Sequence, residues 1–268
     1  MAQESWLGAR QYDRFMGRWS RPASLSFLRW LSPAQQQRWV DVGCGTGAFT
    51  RAILEETAPA QVTGIDPSES FLESAREQLP ETSFQVGHGD NLPCPDNSAD
   101  WIVSAFALNF MPDPVAGLVE MKRVAASAGR VGAMVWDYAG EMQFLRIFWD
   151  AVVELDPAAR SLDEGVRFPL CQPENLHQAF ASAGLSDIEI SPIDIPTVFL
   201  DFADYWEPFL GGPFPAPAYV LSLPEAKQRT LRDALYERLP FAEDGSIPLR
   251  ARAWVVQGSK DRTGVKEL

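Results

Sequence analysis

From residue 38 onward the chain alternates short apolar runs with longer mixed stretches, and the alternation predicts strands and helices in turn. "WVDVG" (39–43) reads as a buried strand and "GAFTRAILEET" (47–57) as the helix after it. "AQVTGIDPS" (60–68) reads as a second strand with its turn. "SESFLESAREQLP" (68–80) reads as a second helix, with Ser68 as its N-cap. "TSFQVGHGD" (82–90) and "ADWIVSAFAL" (99–108) are the third and fourth strands, the latter apolar enough to be buried on both faces. "PVAGLVEMKRVA" (114–125) is a helix and "GRVGAMVWDY" (129–138) a fifth strand. Strands and helices at this spacing make an α/β chain with a doubly wound, mostly parallel sheet.

The flanks follow a looser pattern. Residues 5–31 are helical, with a turn expected near Pro22. Past Tyr138 come a helix at "EMQFLRIFWDAVVEL" (141–155), another at "QPENLHQAFASAGL" (172–185) and a strand at "SDIEISPIDIPTVF" (186–199). Residues 200–240 are rich in aromatic residues and proline, and "IPLRARAWVVQG" (247–258) is a last strand before a frayed tail from Ser259. The expected organisation is an N-terminal helical arm (1–34), a ligand-binding core (35–138), a helical lid (139–172) and a core helix and strand (173–199). A second, aromatic lid (200–240) and the final strand and tail (241–268) complete it.

The chemistry concentrates in "RWVDVGCGTGAFT" (38–50), where a strand runs into glycines spaced G-x-G-x-G. "GCGTGA" satisfies the dinucleotide fingerprint with Ala48 in its last place, and Asp66, 23 positions past Gly43, stands where a ribose-binding acid belongs. The glycines alone leave the ligand open. Asp41 tilts the choice, because a carboxylate two residues before the first glycine suits a ligand with a cationic head better than a pyrophosphate. Asp90, at the end of the third strand, is placed to accept from an adenine amino group. A tyrosine four residues before a lysine, as hydride transfer in short-chain dehydrogenases requires, does not occur: the five tyrosines are followed at that distance by Met16, Met142, Phe209, Leu223 and Pro240.

Taken together, "VDVGCGTG" (40–47), "GIDPSE" (64–69), "GHGDNLPCPDNSADWIVSAFALNFMPDP" (87–114) and "RVGAMVWDY" (130–138) resemble a class I S-adenosylmethionine-dependent methyltransferase of the small-molecule, ubiquinone-biosynthesis-like group. The resemblance implies a seven-stranded, Rossmann-like sheet whose last strand is antiparallel. It implies S-adenosylmethionine as cofactor and S-adenosylhomocysteine as product. Gly43, Gly45 and Gly47 would let the backbone approach the methionine part, with Cys44 and Thr46 lining the loop. Asp41 would help hold the ammonium. Asp66, with Pro67 and Ser68 after it, would take the ribose, while Asp90 and the Asn91–Leu92 backbone read the adenine. Ser104, Ala105 and Phe106 would pass under the sulfonium. In the arm, Tyr12 and Arg18 would meet the carboxylate.

Catalytic groups are sparse. His88 reads as a spacer beside the adenine and His177 as a surface or structural residue. Asn109 stands where many relatives carry histidine, so the candidates near an acceptor reduce to Asn109, Asp137 and Tyr138. The D/N/S-P-P-Y/F tetrad of exocyclic-amine methylation is absent. Phe144, Phe148, Trp149, Tyr205, Trp206, Phe209, Phe214 and Tyr219 are expected to line an apolar acceptor pocket. The expected function is methyl transfer to a small, largely apolar metabolite. The alternative is a non-catalytic S-adenosylmethionine-binding sensor or partner protein.

Bulk properties narrow the partners. The 268 residues carry a formal charge of −13, which disfavours nucleic acid. Neither a signal sequence nor a membrane-spanning run is apparent, so no membrane insertion is expected. Three scattered cysteines indicate neither a disulfide framework nor a metal site and fit a cytoplasmic setting.

Overall fold

A computed structural model describes residues 16–211 and 214–261. Tyr12 therefore lies outside the described residues, as does the tail beyond Asp261. These residues form two compact units. One, the sheet unit, comprises Ala23–Val135, Leu170–Ile193 and 254–261; the other, the helical unit, comprises 16–22, Trp136–Pro169 and Asp194–Ala253.

In chain order the elements are α1 (Arg18–Leu31), β1 (Arg38–Val42), α2 (Ala48–Thr57), β2 (Gln61–Asp66), α3 (Glu69–Gln78), β3 (Ser83–Val86) and β4 (Ala99–Ala105). Then follow α4 (Pro114–Val124), β5 (Ala125–Trp136), α5 (Gln143–Leu155), α6 (Glu164–Arg167), α7 (Pro173–Ser182) and β6 (Ser186–Phe199). Last come α8 (Phe202–Trp206), α9 (Pro215–Ser222), α10 (Glu225–Arg238) and β7 (Ile247–Ser259). The mixed sheet has seven strands in the order β3-β2-β1-β4-β5-β7-β6. The last strand in sequence thus inserts between β5 and β6, and β6 becomes the edge. β1 is parallel to β2 and β4, β2 to β3, and β4 to β5. The strand order reverses beside β1, so the carboxyl ends of β1 and β4 flank the crevice where doubly wound sheets bind ligands.

Within the sheet unit, Trp39 of β1 and Trp101 of β4 stack with ring centroids 5.4 Å apart. Phe27 of α1 packs on Phe49 of α2 at 5.7 Å. Gly132 lets α1 lie close to β5, since a Cβ there would sit 3.4 Å from both Phe27 and Leu31. Helix α4 is capped by Asp113, which accepts from the Ala116 N–H at 2.9 Å, and it opens on Pro114, where a missing N–H leaves no bond unmade.

The helical unit is built on rings. Phe148 and Phe209 stack at 4.5 Å, Trp149 contacts Tyr219 at 6.0 Å, and Tyr205 lies 5.4 Å from Phe209. The Tyr205 hydroxyl donates to the Phe144 carbonyl at 2.9 Å. The rings expected to line an acceptor pocket are therefore buried in the core of this unit.

Three local expectations need correction. Helix α1 continues past Pro22 instead of ending in a turn there. Pro22 has no N–H to give, so the Arg18 carbonyl goes without its helical partner, and the proline ring crowds that same carbonyl. Ser68 takes the N-cap position of α3 but makes no cap bond; its hydroxyl pairs with Ser70 at 3.0 Å. The tail also starts later than expected, because the Lys260 ammonium donates to the Asn97 side chain and to the Arg123 and Ala125 carbonyls. Among the described residues, no helix is long and apolar enough to cross a membrane, and no cluster of three or more His, Cys, Asp or Glu could hold a metal ion.

Candidate functional site

β1 delivers Asp41 to the end of the sheet, and the chain then leaves the strand through three left-handed glycines: Gly43 (φ 75°), Gly45 (φ 53°) and Gly47 (φ 85°). Only glycine enters this region without strain. Position 43 carries a second constraint, since a Cβ there would lie 2.3 Å from the Ala107 Cβ. The turn is anchored from below: the Gly43 and Cys44 N–H groups both donate to the Ile65 carbonyl, at 2.7 and 3.0 Å. Gly47 ends the turn as the N-cap of α2 and supplies no side-chain cap. The first amides of α2 are thereby left without a side-chain acceptor, and Thr46 is half-buried beside them.

Two acids sit against this turn. Asp41 is fully buried. Its Oδ2 accepts from the Thr50 hydroxyl at 2.6 Å, while Oδ1 has no partner among the described residues. Burial raises the carboxyl to about 7, with Thr50 opposing the rise and Asp66 adding to it. Asp66 closes β2 and is also buried. Its Oδ2 accepts from the Gly45 N–H and its Oδ1 from the Ser68 N–H, each at 2.9 Å. Burial pushes this carboxyl up as well, and the two backbone amides hold it back. Each oxygen of a carboxylate has a second lone pair, so Asp66 can brace the loop and still accept from a ligand hydroxyl. The Cys44 thiol is pushed far up by burial and is no nucleophile.

On β4, Ser104 is buried and its hydroxyl has no partner among the described residues. Ala105 follows, and then Phe106 at φ 59°, its N–H donating to the Met134 carbonyl at 2.7 Å. Asn109, in the single turn Leu108–Phe110, is buried with its amide nitrogen similarly unpartnered. Three buried polar atoms without partners, on Asp41, Ser104 and Asn109, thus belong to the ends of two neighbouring strands and the turn after β4. Buried polar groups are satisfied as a rule, so the arrangement calls for a polar ligand.

The loop after β3 departs from expectation. Asp90 and Asn91 are exposed, and Leu92 is buried. The Asn91 N–H donates to the His88 carbonyl at 3.0 Å and the Leu92 N–H to Glu120 at 3.0 Å. Neither amide is thus a spare donor, so what this loop offers is its exposed side chains, the Asp90 carboxylate among them. Sequence reasoning missed Thr50, Ala107 and Glu120. Of these, only Thr50 left a trace, a hydroxyl in the first turn of the helix that follows the glycines.

Arg18, Asp137 and Tyr138 lie in the helical unit. Arg18 pairs with Asp204 at 2.8 Å, and its guanidinium carbon lies 4.4 and 4.6 Å from the ring centroids of Trp19 and Phe199. Asp137 holds a turn: its Oδ2 accepts from the Glu141 N–H at 2.9 Å and its carbonyl from the Gly140 and Met142 N–H groups. Tyr138 is buried with its ring 5.5 Å from Phe168. His88 and His177 are both exposed.

Comparison with known proteins matches residues 40–132 to a family described as a methyltransferase domain. An uncharacterised methyltransferase of Mycobacterium tuberculosis is 35% identical over 130 residues, which are 48% of this chain and 50% of that protein. A demethylmenaquinone methyltransferase of Staphylococcus aureus is 41% identical over 96 residues, 34% of this chain and 40% of that one. The chain spans half or less of the length of these curated relatives. Among solved structures, a Haemonchus contortus phosphoethanolamine N-methyltransferase in complex with S-adenosyl-L-methionine superposes with a TM-score of 0.61 at 16% identity, covering 97% of this chain and 58% of that one. Residues 40–132 therefore match a methyltransferase domain, and the chain carries the fold of solved S-adenosylmethionine-dependent methyltransferases.

Proposed function

We propose that this chain binds S-adenosylmethionine on the Gly43–Gly47 turn and transfers its methyl group to a small, largely apolar metabolite. The observation that carries the reading is Asp41, a buried carboxylate with one unpartnered oxygen beside a bare-backbone turn. Such a group gains from an incoming ammonium and is repelled by a diphosphate. Asp66 would accept from the ribose hydroxyls, the Asp90 side chain would meet the adenine, and Ser104 and Asn109 would offer polar atoms near the reacting end.

When bound, the cofactor supplies a methyl group on a positively charged sulfur. The protein's part is alignment and exclusion of water, because in-line displacement gains most from fixed geometry. The sheet unit offers no histidine base, since both histidines are exposed and Asn109 cannot take a proton. The acceptor is therefore a nucleophile that needs little deprotonation in the step, or one ionised before it binds. A net charge of −13 argues against nucleic acid, and the named quinone-precursor activity of the staphylococcal relative supports an apolar acceptor.

The test is calorimetry with S-adenosylmethionine, S-adenosylhomocysteine and NAD, followed by transfer of labelled methyl into a metabolite extract. Binding of the two sulfur compounds with label in an organic-soluble product is expected. NAD binding with silence toward both sulfur compounds would overturn the reading. Binding without transfer in any extract would favour a sensor.

A further inference from the structure

The loop that carries Asp90 is held by two side chains that no part of the methyl-transfer reading uses. Glu120 and Arg123 lie one turn apart on α4 and form a two-pronged pair, Nε to Oε1 and Nη2 to Oε2, each at 2.8 Å. Together they hold both backbone polar groups of one residue, Leu92. Glu120 Oε2 accepts the Leu92 N–H at 3.0 Å, and Arg123 Nη2 donates to the Leu92 carbonyl at 3.0 Å. Arg123 Nη1 extends the hold downstream, donating to the Cys94 carbonyl at 2.8 Å and to Asp96 at 2.6 Å. Its guanidinium therefore reaches three points along 92–96. Upstream, the loop is pinned by Gly87 N–H to the Asp66 carbonyl and by Asn91 N–H to the His88 carbonyl. Asp90 sits between these anchors, exposed and without a partner among the described residues.

A planar guanidinium in a two-pronged pair has little freedom left, so its remaining donors act as a rigid template. The exposures of 30% for the Arg123 side chain and 18% for Glu120 leave the pair only partly screened by water. We infer that Glu120 and Arg123 are positioning residues that set the backbone of the 88–96 loop and so aim the Asp90 carboxylate, making them determinants of base selectivity. The inference rests on the methyl-transfer reading, in which Asp90 meets the adenine amino group.

The experiment measures binding of S-adenosylhomocysteine and S-inosylhomocysteine by calorimetry, with thermal melting in parallel. The inosyl compound lacks the exocyclic amino donor. Wild type should prefer the adenosyl ligand by about tenfold, the worth of one well-placed hydrogen bond to a charged group. Arg123→Met should bring the preference below about twofold, Arg123→Lys should recover part of it, and Arg123→Met should add nothing in an Asp90→Ala background. Glu120→Gln, which keeps an acceptor for the Leu92 N–H, should lose about threefold of the preference and serves if Arg123→Met does not fold. A purely structural role would lower the melting temperature and weaken both ligands equally, leaving the preference at its wild-type value; that result overturns the inference. Wild type binding both ligands without preference also overturns it and leaves the methyl-transfer reading standing. Wild type binding neither ligand overturns that reading, and the inference with it.

Discussion

Asp41→Asn isolates the electrostatic cost at the centre of the site. The Asp41 carboxyl, near 3.8 when solvated, is raised to about 7 mainly by burial. Below about pH 4 the group is neutral in both folded and unfolded chains, so burial carries no charge penalty. As the pH climbs from about 4 to about 7 the unfolded chain ionises first, and the folded state progressively loses stability relative to it; above about 7 the loss is complete. A shift of about three units at 1.36 kcal/mol each amounts to roughly 4 kcal/mol. An asparagine keeps an acceptor for the Thr50 hydroxyl and never ionises. The difference in stability between variant and wild type should therefore move in favour of the variant by roughly 3 kcal/mol between pH 4.5 and pH 8.

Hydrogen exchange at the β1 amides reads the unit in which Asp41 lies, and the difference between the two proteins cancels the titrating groups that are not coupled to Asp41. Two profiles that stay parallel from pH 4.5 to 8 would refute the argument. The same charge is what an ammonium would find attractive. Wild type should bind S-adenosylmethionine more tightly as the pH rises from 6 to 7.5, and Asp41→Asn should lose that dependence.

Two further outcomes follow from the geometry. Gly43→Ala must accommodate both a left-handed φ and a Cβ 2.3 Å from Ala107, whereas Gly45→Ala meets no atom within 4 Å. The second should cost about 1–2 kcal/mol of stability from backbone strain alone, and the first distinctly more with loss of S-adenosylhomocysteine binding, as melting and calorimetry would report. In the helical unit, Glu164 is buried and raised to about 7 by that burial, and Trp149 donates its indole N–H to it. Glu164→Gln should gain stability over wild type as the pH rises from about 4 to above 7, read by exchange at α5; a difference that does not change with pH would contradict the burial of a charge there.

Much was legible in the residue order because it is local. The alternation of apolar runs and helical stretches predicted the parallel core, and β6 spans the residues expected of it, Ser186–Phe199. The three glycines announced their turn because a left-handed backbone without a side chain leaves its signature in composition. Where the pattern was weak, boundaries slipped. β5 starts at Ala125 rather than at Gly129, since "AASAG" is too small and mixed to read as a strand until its neighbour β4 pairs with it.

What the sequence determined by itself is the glycine turn after β1 and the acids Asp41 and Asp66 at the strand ends beside it, because strand, turn and helix are contiguous there. The tertiary structure decided which of their atoms are committed. Thr50 takes one oxygen of Asp41, Gly45 and Ser68 hold Asp66, Glu120 occupies the Leu92 amide, and the aromatic residues pack on one another instead of standing open. Several of those pairings join residues far apart in the chain, Phe148 and Phe209 among them, and nothing in a local pattern ranks one distant partner above another; only the packed chain, in which a buried donor or acceptor must find a match or go without, makes the choice.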